Sequence, residues 1–301
     1  MNGVVLLRRT CVILLGIALI AAAPANAAPD CSPRPAARVI ASNQGVLESI
    51  ASDRSGRIFF TDTDASRLLR IDRRGEQPVV LKEAIDGILA VMVDRDNSLV
   101  LGIGNSNTDA AADNGNAGLM RVDPDTGETI EIITMGLDMS NGITRGRDGA
   151  YYASNDFGHG IDRFFGGQVT DNWSTVETPN GLVIDSTGRY LYAAQTFKPA
   201  SVARIDLATG TSTTYAEAGA ADVAAGPDGL TRDSYDRLYV AANGAGEIWR
   251  VNRDRTICAL ARGYPTVSSV SFGGGTRGFP SRNLYAVTFT GQIVELVNVL
   301  D

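Results

Sequence analysis

The chain contains a single histidine, His159, among 301 residues. A zinc site built from several histidines is therefore excluded. A Ser-His-Asp triad is also disfavoured, because the sequence has no G-x-S-x-G motif and no partner can be placed for His159. We expect this histidine, in a glycine-rich stretch, to lie at the surface.

The chain also lacks runs of basic residues. It carries 34 acidic and 27 basic residues, a formal net charge of -7, and only Lys82 and Lys198 are lysines. Nucleic acids and anionic membranes are recognised mainly through clustered Lys and Arg side chains. We therefore expect neither of them as a partner.

Only the N-terminus has a long apolar run. Arg8 and Arg9 precede the apolar stretch 11–23, and Ala25-Asn26-Ala27 forms an A-x-A cleavage pattern. This predicts a signal peptide at residues 1–27 and a periplasmic or secreted mature protein that begins at Ala28. The apolar run is too short for a typical membrane span, and loss of the two arginines makes the net charge -9.

A repeated strand pattern organises the rest of the chain. In the stretch 227–251, Asp228 precedes two alternating apolar and polar segments that are joined at Asn243-Gly244, which predicts a β-hairpin. Related copies recur roughly every 40 to 50 residues, a spacing typical of propeller blades. The copies start at Glu48, Leu89, Asn141, Asn180, Asp228 and Ser268. We predict an all-β, six-bladed β-propeller that forms a single domain over residues 28–301.

Two segments break this rhythm. The small, polar stretch 104–118 predicts a long loop in the second blade, and the stretch 155–173, rich in glycine and aromatic residues, interrupts the third. Both could be tolerated insertions on one face of the propeller. Alternatively, they cover the central site, where Phe157, Phe164 and Phe165 would contact a substrate.

Removal of the signal peptide takes Cys11 away and leaves two cysteines, Cys31 and Cys258. Because exported proteins mature in an oxidising compartment, we expect them to form a disulfide that ties the N-terminal segment to the region between the fifth and sixth blades. The alternative is two free thiols.

The residues that open the copies form a ring, since the first strand of each propeller blade lines the central channel. Four of the six carry oxygen donors, namely Glu48, Asn141, Asn180 and Asp228. Carboxylates and amide carbonyls with no imidazole or thiolate suit Ca²⁺ or another hard divalent cation. The alternative is that Asn-Gly and Asp-Gly are simply turn dipeptides, but Glu48 is followed by Ser49 and does not fit it.

At these positions the chain resembles the senescence-marker-protein/gluconolactonase superfamily of six-bladed propellers, which includes paraoxonase-type lactonases and strictosidine-synthase-like proteins. The resemblance rests on N-G-L-V-I-D-S-T-G-R-Y-L-Y from Asn180 and D-G-L-T-R-D from Asp228. It implies a Ca²⁺-type site at Glu48, Asn141, Asn180 and Asp228, with Asp228 also as base or nucleophile. It further implies hydrolysis of lactones or related esters, and Cys31 and Cys258 look like the paraoxonase disulfide.

The chain departs from the family pattern at several positions. E-S-I at Glu48 replaces the gluconolactonase E-G-P, and Met139-Ser140-Asn141-Gly142 lacks the arginine that contacts sugar lactones. Asp86 stands where a paraoxonase would have a histidine, whereas A-S-N-D, ending at Asp156, is closer to the paraoxonase arrangement. Sugar lactones are therefore less favoured than other lactones or esters, and the catalytic candidates are Asp228 first, with Asp156 and Asp86 ranked below it.

Two functions remain open from the sequence. The first is a metal-dependent hydrolase of a small-molecule lactone or ester, in which the cation polarises the carbonyl. The alternative is a non-catalytic secreted binding propeller whose metal only braces the ring. We expect a monomer in either case.

Overall fold

Six four-stranded antiparallel sheets contain every strand named in the described chain, which has one short helix besides. The computed structural model describes residues 28–158, 160–197, 200–219, 224–275 and 278–300. The predicted signal peptide at 1–27 and His159 lie outside these ranges. The sheets follow one another in sequence around a ring, so the predicted six-bladed β-propeller is confirmed.

Each blade runs from an inner strand at the axis to an outer strand at the rim. Blade 1 contains β2 (Leu47–Ser52), β3 (Ile58–Asp62), β4 (Arg67–Ile71) and β5 (Val79–Lys82). Blade 2 contains β6 (Val91–Val93), β7 (Leu99–Ile103), β8 (Ala117–Val122) and β9 (Thr129–Leu137). Blade 3 contains β10 (Ile143–Arg145), β11 (Tyr151–Asn155), β12 (Gly160–Phe165) and β13 (Gln168–Ser174).

The second half of the ring repeats this order. Blade 4 contains β14 (Pro179–Ile184), β15 (Tyr190–Gln195), β16 (Ser201–Asp206) and β17 (Ser212–Glu217). Blade 5 contains β18 (Pro227–Arg232), β19 (Leu238–Ala242), β20 (Glu247–Val251) and β21 (Ile257–Arg262). Blade 6 contains β22 (Val267–Phe272), β23 (Leu284–Thr288) and β24 (Ile293–Val297), and its outer strand is β1 (Ala36–Ala41).

The hydrophobic core lies between neighbouring blades. One cluster, for example, joins Tyr152 and Ile161 of blade 3 to Leu191 and Ile205 of blade 4, all of them buried. A single four-stranded sheet cannot cover both of its apolar faces, so each blade depends on its neighbours. This stacking fixes the inner strands around the axis.

The N-terminal segment closes the ring. Strand β1 pairs with β24 and so joins the two ends of the chain in blade 6. Ahead of it, the Cys31 amide donates to the Ala259 carbonyl at 2.9 Å, and Cys31 forms a disulfide with Cys258. The predicted disulfide is therefore present, but it attaches to the outer strand β21 of blade 5 and not to a connection between blades.

The two segments that break the repeat differ from expectation. Residues 104–116 connect β7 to β8 as predicted, but they include the short helix α1 (Asn107–Ala111), in which Ala110 is fully buried. The prediction that 155–173 interrupts blade 3 is wrong, because most of it forms β12 and β13. Gly166-Gly167, both at positive φ, make the two-residue hairpin between them.

Candidate functional site

The inner strands place the predicted ring of residues at the axis. Glu48, Asn180 and Asp228 lie in β2, β14 and β18, while Asn141 lies just before β10. In β2, β14 and β18 the strand register shifts at the ring residue. Irregularities of this kind bend a strand and redirect a side chain.

The glycine after each of three ring residues permits close packing of adjacent inner strands. A Cβ on Gly142 would lie 2.2 Å from the Asn180 carbonyl oxygen, and one on Gly229 would lie 2.6 Å from Ser269 Oγ. Gly181 is equally crowded, and none of the three has a positive φ. Asn180-Gly181 and Asp228-Gly229 lie within β14 and β18 and are not turns, whereas Asn141-Gly142 lies at a bend before β10; the close packing at the axis favours glycine at all three positions.

Hydroxyl groups fix the backbone at the ring from the neighbouring blade. Ser154 Oγ donates to the Asn180 carbonyl at 2.6 Å, linking blades 3 and 4. Thr61 Oγ1 makes the same kind of bond to the Leu89 carbonyl at 2.8 Å, from blade 1 to blade 2. The ring residues are thus held by contacts between blades as well as within them.

Two cavities meet at the ring. The front cavity has a volume of about 580 Å³ and the rear cavity one of about 310 Å³. Only four of the described residues line both of them, namely Glu48, Asn141, Asn180 and Asp228. We call these four residues the waist. They are the four that the sequence singled out as oxygen donors, and each is at least nine-tenths buried.

Three carboxyls at and beside the waist have strongly raised pKa values. Burial, and then the charge of Asp156, raises the pKa of Glu48 from 4.5 to about 8. Burial, followed by the charges of Glu48 and Asp156, raises the pKa of Asp228 well above its usual 3.8. Burial also raises the pKa of Asp156 to about 6. Three carboxyls from blades 1, 3 and 5 therefore share one buried region and disfavour one another's ionisation.

Asp156, beside the waist, keeps one buried oxygen atom without a partner. It follows β11 and lines the front cavity, where the Asn141 side chain donates a hydrogen bond to it. Its Oδ1 atom is buried without any hydrogen-bond partner. By contrast, Asp228 Oδ2 accepts a hydrogen bond of 3.0 Å from Asn243 Nδ2. A buried polar atom without a protein partner is uncommon, and an ion, a water or a catalytic role can account for it.

The donor set fits a hard cation only if the amides take part. Within the described part of the chain, no three His, Cys, Asp or Glu side chains are grouped so that they alone could hold a metal ion. A cation at the waist would therefore need the amide oxygens of Asn141 and Asn180 beside the carboxylates of Glu48 and Asp228. Such mixed oxygen sets, with room for water, suit Ca²⁺.

A second ring of cavity residues was missed by the sequence analysis. The residue directly after the second strand lines the front cavity in five blades: Thr63, Asp156, Thr196, Asn243 and Phe289. The sequence identified Asp156 in this set, but interpreted Asn243 only as part of a turn. The signal that could have found the ring is positional, since each of these residues follows the same strand of its copy.

The three aromatic residues proposed to contact a substrate have different positions. Phe157 lines the front cavity as expected. Phe164 and Phe165 do not line it, because they lie on β12, where Phe165 is exposed beneath the Arg163 guanidinium. Phe197 and Phe289, which the sequence did not suggest, line the front cavity instead.

Other candidates lie outside the waist. Leu89 lines only the front cavity, and Ser268 Oγ donates to the Leu47 carbonyl at 2.6 Å. The side chain of Asp86, a lower-ranked catalytic candidate, is exposed and lines neither cavity.

No helix in the described ranges is both long enough and apolar enough to span a bilayer.

Comparison with known proteins agrees with this architecture. The family model for the SMP-30/gluconolactonase/LRE-like region matches residues 163–288, which include Asn180 and Asp228. No curated protein matches the chain.

Several solved structures share the fold at low identity. A gluconolactonase from Xanthomonas campestris superposes with a TM-score of 0.71 at 16% identity, over 91% of this chain and 96% of that one. A calcium-binding protein, regucalcin, from Agrobacterium tumefaciens gives 0.67 at 18% identity, over 88% and 94%.

A third neighbour performs different chemistry. A PQQ-bound aldose sugar dehydrogenase from Streptomyces coelicolor gives a TM-score of 0.67 at 16% identity, over 87% of this chain and 98% of that one. At these identities the structural likeness establishes the fold alone, and function must be argued from the site. The family match over residues 163–288 and the ring of six blades agree with the predicted resemblance to the SMP-30/gluconolactonase superfamily.

Proposed function

We propose that this protein is an exported, divalent-metal-dependent hydrolase of lactones or related esters. The cation, Ca²⁺ in the first instance, would be held at the waist by Glu48, Asn141, Asn180 and Asp228. The observation that carries the proposal is a cluster of three buried carboxyls: Glu48 and Asp228 at the junction of the two cavities, and Asp156 beside them in the front cavity, with its Oδ1 unpartnered. Such a concentration of buried negative charge is costly unless a cation offsets it.

Bound at the waist, the cation would polarise the substrate carbonyl and stabilise the oxyanion, a contribution of several kcal/mol to the barrier. The residues of the chain divide the remaining work. Glu48 and Asp228 neutralise the charge of the cation, while Asn141 and Asn180 add oxygen ligands without adding charge. Asn243 holds one carboxylate oxygen of Asp228 and leaves the other available to the waist.

Asp228 and Asp156 are the candidates to orient or deprotonate the attacking water. Both face the front cavity and both have a raised pKa. A nearby divalent cation favours the ionised form of a carboxyl group and so would lower both values. Each could then accept a proton near neutral pH, in keeping with the role of a general base.

The substrate class follows from the charge of the site. Three carboxyls line the front cavity, and none of its described lining residues is lysine or arginine. Anionic substrates would be repelled, so neutral lactones and esters fit better. The fold neighbours include a gluconolactonase, but the residues before Asn141 lack an arginine for sugar lactones.

Export and a monomeric state complete the proposal. The disulfide between Cys31 and Cys258 supports an oxidising compartment, in agreement with the A-x-A pattern at Ala25-Asn26-Ala27. The domain would then comprise residues 28–301, after removal of 1–27. Gel filtration with light scattering would test the monomer.

The proposal is tested by chelation and re-addition of calcium during lactone and aryl-ester hydrolysis. We expect hydrolysis that is lost in chelator at a temperature where the fold survives, and regained with Ca²⁺. The Asp228→Asn variant should lose at least 100-fold in kcat/KM, the order typical of a lost general base. Asp86→Asn, which changes an exposed carboxyl outside both cavities, should retain wild-type rates.

The alternative function would give a different result. In a binding propeller with a structural cation, chelation would lower the melting temperature, but no preparation would hydrolyse either substrate class. Hydrolysis that persists unchanged in chelator, or in Asp228→Asn, would also contradict the proposed mechanism.

A further inference from the structure

The front cavity has two chemically distinct parts. Its floor is the waist, with the carboxyl and amide groups described above. Its wall carries large apolar side chains from several blades: Leu89, Met139, Phe157, Phe197 and Phe289. A ligand that fills about 580 Å³ would therefore contact polar groups at one end and apolar groups at the other.

Two phenylalanines on this wall are unusually exposed. Phe157 and Phe197 are 44% and 51% exposed, although each has buried neighbours in the adjoining strand. Their ring centroids lie 6.0 Å apart with a tilt of 56°, a geometry typical of interacting aromatic pairs. They follow the second strands of blades 3 and 4 and so come from adjacent blades. Adjacent exposed aromatic rings beside a polar cavity are characteristic of a ligand surface.

A third aromatic ring belongs to the opposite side. Phe289 follows β23 in blade 6, and in a ring of six blades that blade lies across the axis from blade 3. It is partly buried and lines the same cavity. The apolar wall therefore extends over blades on both sides of the axis, and a bound group would be covered on more than one face.

We propose that Phe157 and Phe197 form a subsite for an aromatic or bulky alkyl substituent of the substrate, whose carbonyl group faces the waist. This inference rests on the proposed hydrolase function for the identity of the reacting group. It adds the substrate class: lactones or esters with an apolar substituent are preferred over unsubstituted and polyhydroxylated ones. Burial of one aromatic group against two rings favours the substituted ligand by about tenfold or more.

Binding is tested with lactams, because these resist hydrolysis and report on the subsite without turnover. The dissociation constants of α-benzyl-γ-lactam and unsubstituted γ-lactam are measured by calorimetry on the calcium-loaded protein. Wild type should bind the benzyl compound at least tenfold more tightly. Phe157→Ala and Phe197→Ala should each lose most of that preference.

The matched control is Phe165→Ala. Phe165 is 46% exposed, close to the exposure of Phe157, but it lies on β12 outside both cavities. This variant should keep the wild-type preference. The subsite is refuted if wild type binds the two lactams equally, or if the two cavity variants behave like Phe165→Ala.

Hydrolysis of the corresponding lactones separates the two proposals. We expect kcat/KM to favour α-benzyl-γ-butyrolactone over γ-butyrolactone and over gluconolactone by at least tenfold, with the preference expressed mainly in KM and reduced in both cavity variants. Hydrolysis without this preference would refute the subsite and leave the hydrolase proposal standing. Lactam binding that depends on Phe157 and Phe197, in a protein that hydrolyses no lactone, would refute the hydrolase and retain the binding site.

Discussion

Raising the pH should destabilise the metal-free protein, because the folded state holds protons on its buried carboxyls that the unfolded chain releases. The pKa of Glu48 is about 8 in the folded protein against an ordinary 4.5. A group whose folded pKa is raised favours folding at low pH, and its contribution is lost as the pH rises towards the folded value. The loss therefore falls between about pH 4.5 and 8.

A pKa shift of this size corresponds to a loss of roughly 5 kcal/mol in unfolding free energy at pH 8 and above, relative to acidic pH. For a domain of this length, 1 kcal/mol changes the melting temperature by about 2 °C or more, so the full effect is on the order of 10 °C. Asp156 and Asp162, whose pKa values burial raises to about 6, add to the slope at lower pH. The contribution of Glu48 is therefore most distinct between pH 6 and 8.

The assay is thermal unfolding in chelator between pH 5 and 8, for wild type and Glu48→Gln. The metal-free wild type should melt at progressively lower temperature as the pH rises, while Glu48→Gln should show a clearly shallower fall, because burial of Asp228 still raises the pKa of that carboxyl. Added Ca²⁺ should protect wild type more at pH 8 than at pH 5, because it binds the ionised carboxylates. The metal-free melting temperature could instead stay constant or rise over this range, with no difference between the two proteins. That result would refute the claim that Glu48 is a buried carboxyl with a raised pKa.

Three further predictions concern other parts of the molecule. Replacing both Cys31 and Cys258 by Ser should lower the unfolding free energy by about 2–5 kcal/mol, because their bond closes a loop of 227 residues. Hydrolysis at a permissive temperature should persist. An unchanged unfolding midpoint in denaturant would contradict this prediction. Burial alone would raise the pKa of Asp94, but hydrogen bonds, led by the one from Arg145, lower it to about 2. Wild type should therefore lose stability as the pH falls from about 4 to 2. Asp94→Asn should show a shallower loss in an acid titration followed by circular dichroism. Gly229→Ala should destabilise the fold by about 1–3 kcal/mol, since its Cβ would lie 2.6 Å from Ser269 Oγ; a wild-type melting temperature would show that the inner strands can separate freely.

The repeat made the architecture predictable. Each copy carries the same order of ring residue, strand and hairpin, and this order predicts both the number of blades and the inner strand of each one. The four waist residues followed from it, because equivalent positions in a closed ring meet at the axis. Their common location needed no knowledge of side-chain packing.

Features outside the repeat register were harder to predict. The stretch 155–173 was interpreted as an insertion because glycine and aromatic residues obscure its alternation, although Gly166-Gly167 is a hairpin signal between two strands. Phe289 and Phe197 reach the front cavity from the first and second positions after the second strands of their blades, and these positions become evident only once the strand ends are known. The raised pKa values of Glu48 and Asp228 likewise depend on burial, which a sequence pattern does not report.

The most direct test of the central claim is a crystal structure of the protein grown with Ca²⁺, with the ion located by its anomalous scattering. The account predicts one peak at the waist, within about 2.3–2.6 Å of side-chain oxygens of Glu48, Asn141, Asn180 and Asp228. A peak bound elsewhere, or a waist whose four side chains turn away from one another with no ion between them at saturating calcium, would contradict it.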